Sequence, residues 1–239
     1  MNRIKRYYSA LSRYHKSNGY GIHSPFAYHF VLGILRERLP YYAYSEIEKT
    51  RRMVISKTRK HGRHPRIISI KNAKLLFRLV NLVNPQHILQ FGTSYGVSTS
   101  SMLMVSHITQ LTLCEPHLSE YNATAKVLKP YMERIALFTD AGASIDDYEK
   151  RHNGCNERRF LLVNNVENRD VDIIDAYIHK IMATEGFIVM RNLSRSSAMN
   201  GLWNRCKADL KFGMTFSNEK IAVIVINNKL PKQDYFLWF

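Results

Sequence analysis

Apolar positions change their rhythm at residue 71. From there, segments of helical period alternate with short apolar runs bounded by turn residues. Ala73–Val83 predicts an amphipathic helix stopped by Asn84-Pro85, and His87–Phe91 a short buried strand that enters a glycine-containing turn. Residues 97–106 predict a helix, Leu111–Cys114 a strand ending in Glu115-Pro116, residues 118–130 a helix, and Ile135–Phe138 a strand ending in Thr139-Asp140. Phe160–Val163 is a fourth strand followed by a helix over 170–183. Phe187–Met190 is a fifth, followed by a helix over 195–210. Met214–Phe216 and Ile221–Ile226 are two further strands with no helix between them. Strand–helix alternation implies parallel pairing with right-handed crossovers, and the last pair implies an antiparallel hairpin at one edge. The expectation is an α/β fold, mostly parallel.

The segment before residue 71 reads as helical. Ser24-Pro25 supplies an N-cap with proline in the first turn, ahead of the stripe Phe26, Phe30, Val31, Ile34 and Leu35, and Pro40 marks the stop. Ser45 with Glu48 has the spacing of a capping box before Ile47, Met53, Val54 and Ile55, which predicts a helix over 46–60 with Lys49, Arg52, Lys57 and Lys60 on its outer face. Tyr7, Tyr8, Tyr14, Tyr20, Tyr28, Tyr41, Tyr42 and Tyr44 are interleaved with basic residues. They either stack on bases or pack onto the rest of the chain, and packing is the simpler reading.

Charge divides the 239 residues unequally. Positions 1–78 hold 18 Lys and Arg against three acids, whereas the remainder holds 17 against 16, so nearly all of the formal +16 lies in the first third. Ten basic residues and no acid fall between Lys49 and Lys74. Such a region is either a solvated face or an attractor of polyanions: nucleic acid, anionic substrates or lipid headgroups. No apolar run is long enough to span a bilayer, no apolar segment of signal-peptide type follows the basic N-terminus, and Cys114, Cys155 and Cys206 form no metal or disulfide pattern. Cys114 reads as a buried strand residue, and a cytoplasmic protein is expected.

In a sheet of this kind the ligand lies beyond the carboxyl ends of the strands, where the strand order reverses. Three strand ends carry suitable chemistry. The loop Gln90–Thr99 has Gly92 and Gly96 to let the backbone approach a ligand, with Thr93 between them and Ser98 or Thr99 at a helix N-terminus to hold a carboxylate. Glu115 can accept hydrogen bonds from ribose hydroxyls, and Asp140 from an adenine amino group. Asn165 either bonds a ligand or satisfies loop backbone. Arg191 either holds an anionic group or pairs with Glu167 or Asp170. His23, after Gly19 and Gly21, lies on a loop placed either to act as a general base near neutral pH or to order the helix that follows. His61 and His64 read as part of the basic patch and Trp203 as packing against the sheet. No nucleophile elbow of hydrolase type occurs.

With its Gly-Thr-x-x-Gly-x-Ser-Thr loop, the sequence resembles class I S-adenosylmethionine (SAM)-dependent methyltransferases of the O-methyltransferase-like branch. It is similar over nearly all its length to a bacterial methyltransferase-like family, through Gly21–Phe26, Ile88–Ser94, Arg195-Ser196 with Met199 and Trp203, and Pro231–Tyr235. The resemblance implies a Rossmann-like methyltransferase sheet over 67–239, a basic helical extension over 1–66, and SAM as cofactor. The chain departs from that pattern at three strand ends. Gln90 stands where an acid usually precedes the glycine loop, and Asn164-Asn165 and Arg191-Asn192 stand where metal-dependent relatives carry acids that bind a divalent cation. Two amides and an arginine make a poor site for a hard cation, so no metal is expected. The leading expectation is a metal-independent SAM-dependent methyltransferase whose basic N-terminal region recruits an anionic acceptor. The rival is a catalytically degenerate fold that binds RNA or another polyanion, and a third reading attaches residues 1–18 to an anionic membrane.

Overall fold

A computed structural model of the chain describes residues 11–59, 67–117, 122–153 and 158–239. Lys60, His61, His64, Tyr7, Tyr8, the first ten residues and the start of the helix expected from 118 lie outside the described residues. Eight strands form one sheet in the order β3-β2-β1-β4-β5-β7-β6-β8: β1 His87–Phe91, β2 Gln110–Cys114, β3 Ile135–Phe138, β4 Arg159–Val163, β5 Gly186–Arg191, β6 Met214–Ser217, β7 Ile221–Ile226 and β8 Gln233–Phe236. The first five are parallel, and β7 runs antiparallel to both β5 and β6. This is the Rossmann-like sheet expected, with one correction. The β6–β7 hairpin is not at the edge, because β8 pairs in parallel with β6 outside it.

The strands read as unbroken apolar runs because both faces are covered. Phe160, Leu162, Phe187, Val189, Ile221, Val223 and Val225 enter the core on one face. Leu161, Val163, Ile188, Met190, Ala222, Ile224 and Ile226 enter the core on the other, with the two-residue period of a pleated strand. The second face is roofed by α6 (Ala141–His152), α7 (Val171–Met182) and α8 (Ser197–Asp209), and Trp203 packs partly buried against it. The first face is covered by α3 (Ile70–Val83), α4 (Val97–Leu103) and the N-terminal helices, so the N-terminal segment and the sheet share a single core. Among the described residues no helix is long and apolar enough to cross a membrane.

Ser24 and Pro25 start α1 (Pro25–Phe30) as expected, with the Ser24 hydroxyl accepting from Ala27 N at 3.3 Å. The helix continues as one wider turn over Val31–Leu35 and stops five residues before Pro40, where the carbonyls of Ile34 and Leu35 accept instead from the buried Arg78 guanidinium at 2.7 and 3.3 Å. Phe30 lies 4.7 Å from Phe216, ring centre to ring centre, which anchors α1 on the sheet. The next helix, α2, spans Tyr44–Arg59, so Ser45 is already inside it and no capping box forms. Glu48 instead accepts from Lys74 at 2.6 Å and Arg52 at 3.4 Å. Tyr41, Tyr42 and Tyr44 pack edge-on around Phe77, with Tyr42 still largely exposed.

The helix α6 was not foreseen. Asp140 ends the β3 exit as its N-cap, accepting from Ala143 N at 2.7 Å, and Ile145, Tyr148 and His152 bury one stripe of it. On the same helix Glu149 accepts from Lys180 (2.6 Å), Tyr177 (2.6 Å) and Arg159 (3.2 Å), joining α6, α7 and β4. Burial opposes its ionisation, but the three hydrogen bonds outweigh it and hold the carboxyl at about 2. A carboxyl depressed in the folded state stabilises above its ordinary value of 4.5 and loses that contribution as pH falls from there toward about 2. The urea midpoint of wild type should therefore exceed that of Glu149→Gln at pH 7, and the gap should close steadily as the pH falls through this window. A gap independent of pH would refute the assignment.

Candidate functional site

The strand order reverses between β1 and β4, and the loops leaving these strands build the site. After β1, Gly92 has φ +78°, and Ser94, Tyr95 and Gly96 follow with φ of 49°, 60° and 79°. Two non-glycine residues in the left-handed region cost about 1 kcal/mol or more each, so the surroundings must hold the loop. They do so from five sides. Gly92 N donates to Cys114 O (2.9 Å), Thr93 N to Glu115 Oε2 (2.8 Å) and Ile68 N to Ser94 Oγ (2.9 Å), while the side-chain amides of Gln90 and Asn164 both donate to Gly92 O at 2.5 Å. Gly96 is pinned for a second reason: a Cβ there would meet Val127 Cγ1 at 3.0 Å.

This network gives a role to two of the residues at which the sequence departs from the pattern it resembles. A carboxylate at 90 or 164 cannot donate to the Gly92 carbonyl, whereas an amide can. Gln90 also donates to Ser98 Oγ (3.1 Å) and accepts from Thr99 Oγ1 (3.1 Å), and Asn164 Nδ2 reaches Ser98 Oγ at 3.2 Å. Ser98 in turn donates to Thr93 O at 2.7 Å. Gln90, Asn164 and Ser98 thus form an uncharged hydrogen-bonded scaffold beneath the loop.

Above the scaffold lies a cleft of about 240 Å³, with Gly92, Thr93, Tyr95, Glu115, Asn165 and Asn192 on its walls and Glu167 and Asp170 on the β4–α7 connection. Cys114 lines it too, and burial pushes its thiol up to about 11, so it is present as an inert thiol. The expected site residues are distributed as follows. Gly92, Thr93, Glu115 and Asn165 line the cleft. Gly96 and the fully buried Ser98 stand behind the loop, and exposed Asp140 caps α6. His23 is exposed and lines neither this cleft nor the cavity beside it.

Arg191 forms no ion pair with Glu167 or Asp170. Glu167 bonds His117 (2.8 Å) and Arg169 (3.0 Å), and the guanidinium of Arg191 donates through Nη1 to Asn164 Oδ1. Arg191 lines a second cavity of about 510 Å³, which shares Asn192 and Arg195 with the first. Asn192, with φ 59°, donates to Asn164 O at 2.8 Å and so forms the ridge between the two. The sequence reading named Asn192 only as a departure from a metal site and Arg195 only in a resemblance, and gave neither a ligand-binding role. An asparagine directly after a strand is the signal for a left-handed turn that would have marked the ridge.

The sheet order, the glycine loop at the reversal and the acid at the end of β2 together define a Rossmann-like methyltransferase fold. Solved structures share the fold. This chain is similar to a methyltransferase from Geobacter sulfurreducens (13% identity, 82% of this chain and 97% of that one, TM-score 0.56) and to an O-methyltransferase from Bacillus cereus in complex with SAH (13%, 81% and 96%, 0.53). It is also similar to the O-methyltransferase TomG from Streptomyces achromogenes, in complex with SAM (13%, 80% and 92%, 0.52). The sequence matches no protein-family model and no curated protein.

Proposed function

We propose that the protein is a SAM-dependent methyltransferase that works without a metal ion on an anionic acceptor. The observation that carries this reading is Glu115. Its carboxylate follows β2 on the wall of the cleft, holding Thr93 N with one oxygen at 2.8 Å and meeting His117 N at 3.5 Å with the other. A carboxylate accepts and never donates, which suits vicinal ribose hydroxyls. The cleft fits the cofactor in two further respects. The positive-φ Gly92 stands against Asn164 and Asn165, where a Cβ would come within 3.4 Å of Asn164, and Glu115, Glu167 and Asp170 give the cleft an acidic lining suited to a sulfonium cation.

Bound SAM supplies an electrophilic methyl group. The chain's own residues would bind and orient: Glu115 at the ribose, Gly92 and Thr93 as close-approaching backbone, Asn165 as a polar contact, and the Asn192 ridge between the cofactor and whatever occupies the second cavity. Transfer of this kind needs in-line positioning above all. Metal independence rests on the donors present. Asn164 Oδ1 already accepts from Arg191, and a guanidinium beside it repels a cation. The reading gives His23 no step. Calorimetric titration of SAM and of S-adenosylhomocysteine (SAH) into the protein tests it: micromolar binding of both is expected, and no heat at millimolar ligand would overturn it.

A further inference from the structure

The second cavity has an unusual charge balance. Arg13, Lys71, Arg191, Arg195 and Lys220 line it against one acid, Glu219, which is already bonded to Arg13 at 3.3 Å. Among the described residues, Lys71, Arg191, Arg195 and Lys220 have no carboxylate partner. Arg191 forms the buried base of the cavity, at 5% exposure, and its Nε has no hydrogen-bond partner. Removal from water, with Arg195 nearby, pushes the guanidinium down to about 9. A buried cation without a counter-charge is costly to keep, and a ligand anion relieves it. A neighbouring cavity sharing Lys71 adds Arg36, Arg38 and Arg78 against Glu37, with Lys74 paired to Glu48, so its balance is also positive. Trp238, Phe239 and Ile67 give the cavity an apolar wall.

We propose that this cavity is the acceptor subsite, and that it takes a small molecule through a phosphate group held by Arg191, Arg195, Lys71 and Lys220, with its apolar body against Trp238. The assignment rests on the methyltransferase reading, since the shared Asn192 and Arg195 place the acceptor beside the cofactor cleft. The planar fork of an arginine suits a phosphate's paired oxygens, and several uncompensated cations favour a dianion over a carboxylate. A volume of about 510 Å³ is that of a small-molecule site.

Phenyl phosphate, titrated into the protein saturated with SAH, is the probe, with benzoate and a single-stranded oligonucleotide as comparison arms. Phenyl phosphate should bind at least about tenfold more tightly than benzoate, and Arg191→Met should weaken it by about tenfold or more. Because Arg191→Met also removes the bond to Asn164, the Lys71→Ala/Lys220→Ala double variant, both lysines being exposed at the cavity mouth, provides the second test. It should lose phenyl phosphate binding by a similar factor while its SAH titration is unchanged, because neither lysine lines the cofactor cleft. Equal binding by wild type and the double variant, or none by a protein that binds SAH, would overturn the subsite and leave the cofactor reading standing. Failure to bind SAH would overturn the cofactor reading itself. An oligonucleotide that binds more tightly than phenyl phosphate and depends on the same residues would overturn the small-molecule assignment in favour of nucleic acid.

Discussion

Replacing Glu115 with alanine should lower the affinity for SAM and SAH by about a hundredfold or more. Hydrogen bonds to a charged group are worth about 1.5–3 kcal/mol each, and the variant loses those that the carboxylate would make to ribose hydroxyls. It also loses the 2.8 Å bond to Thr93 N, one of the five restraints that keep Ser94 and Tyr95 in the left-handed region. The second loss makes the effect exceed that of a simple deleted contact, because a loosened loop must be reordered when ligand binds. Glu115→Gln separates the two contributions. Its amide oxygen can still accept from Thr93, while the other atom becomes a donor that cannot accept from a hydroxyl, so an intermediate loss of about tenfold is expected. Both variants should melt within a few degrees of wild type, since the remaining loop restraints are intact. Wild-type affinity in Glu115→Ala would remove the main support for the cofactor reading.

The largest effect on stability should come from Gly213→Ala. Gly213 has φ +101°, and a Cβ there would fall inside the contact distance of the Val225 carbonyl oxygen and 3.1 Å from Ile226 Cα. Both neighbours are backbone of β7, a buried central strand, so neither can move aside as a side-chain tip would. The residue also ties the sheet edge together, donating to Leu230 O at 3.0 Å and accepting from Gln233 N at 3.2 Å. Steric displacement of β6 would therefore propagate to β8. A loss of about 3 kcal/mol or more is expected, well above the ordinary substitution. Denaturant unfolding measures it, and a loss under about 1 kcal/mol would show that the turn relaxes freely.

Much of the sheet was legible because buried parallel strands such as Phe160–Val163 and Phe187–Met190 are continuous apolar runs. β8 was not, because Gln233–Phe236 is polar and largely exposed along an edge, where partnering comes from β6 rather than from burial. The α6 helix was hidden by its own cap: Asp140 read as a ligand acceptor, and its role as an N-cap appears only once Ala143 N is seen to point at it. At the candidate site, Gly92, Thr93 and Glu115, singled out from spacing, line one cleft. The amides at 90 and 164 were read as missing charge, whereas the structure shows them donating to the Gly92 carbonyl. The second cavity could not be read, because its walls come from residues as far apart as Arg13 and Trp238, and no local pattern links them.

That distance in sequence also governs the order in which the molecule can be completed. Ser17 Oγ accepts from Trp238 N at 2.7 Å across 221 positions, and the Arg13 guanidinium lies 3.9 Å from the centre of the Phe236 ring. During synthesis the helical segment 11–17 emerges early, yet the partners of Arg13 and Ser17 stand at Glu219, Phe236 and Trp238, late in the sequence. Contacts of such long range form slowly because the intervening chain must first be ordered. The cleft proposed for the cofactor, lined by residues 91–196, can therefore take shape while translation continues. The basic cavity acquires its far wall only after the last strand docks, so on the proposed assignments the nascent protein would gain its cofactor site before its acceptor site.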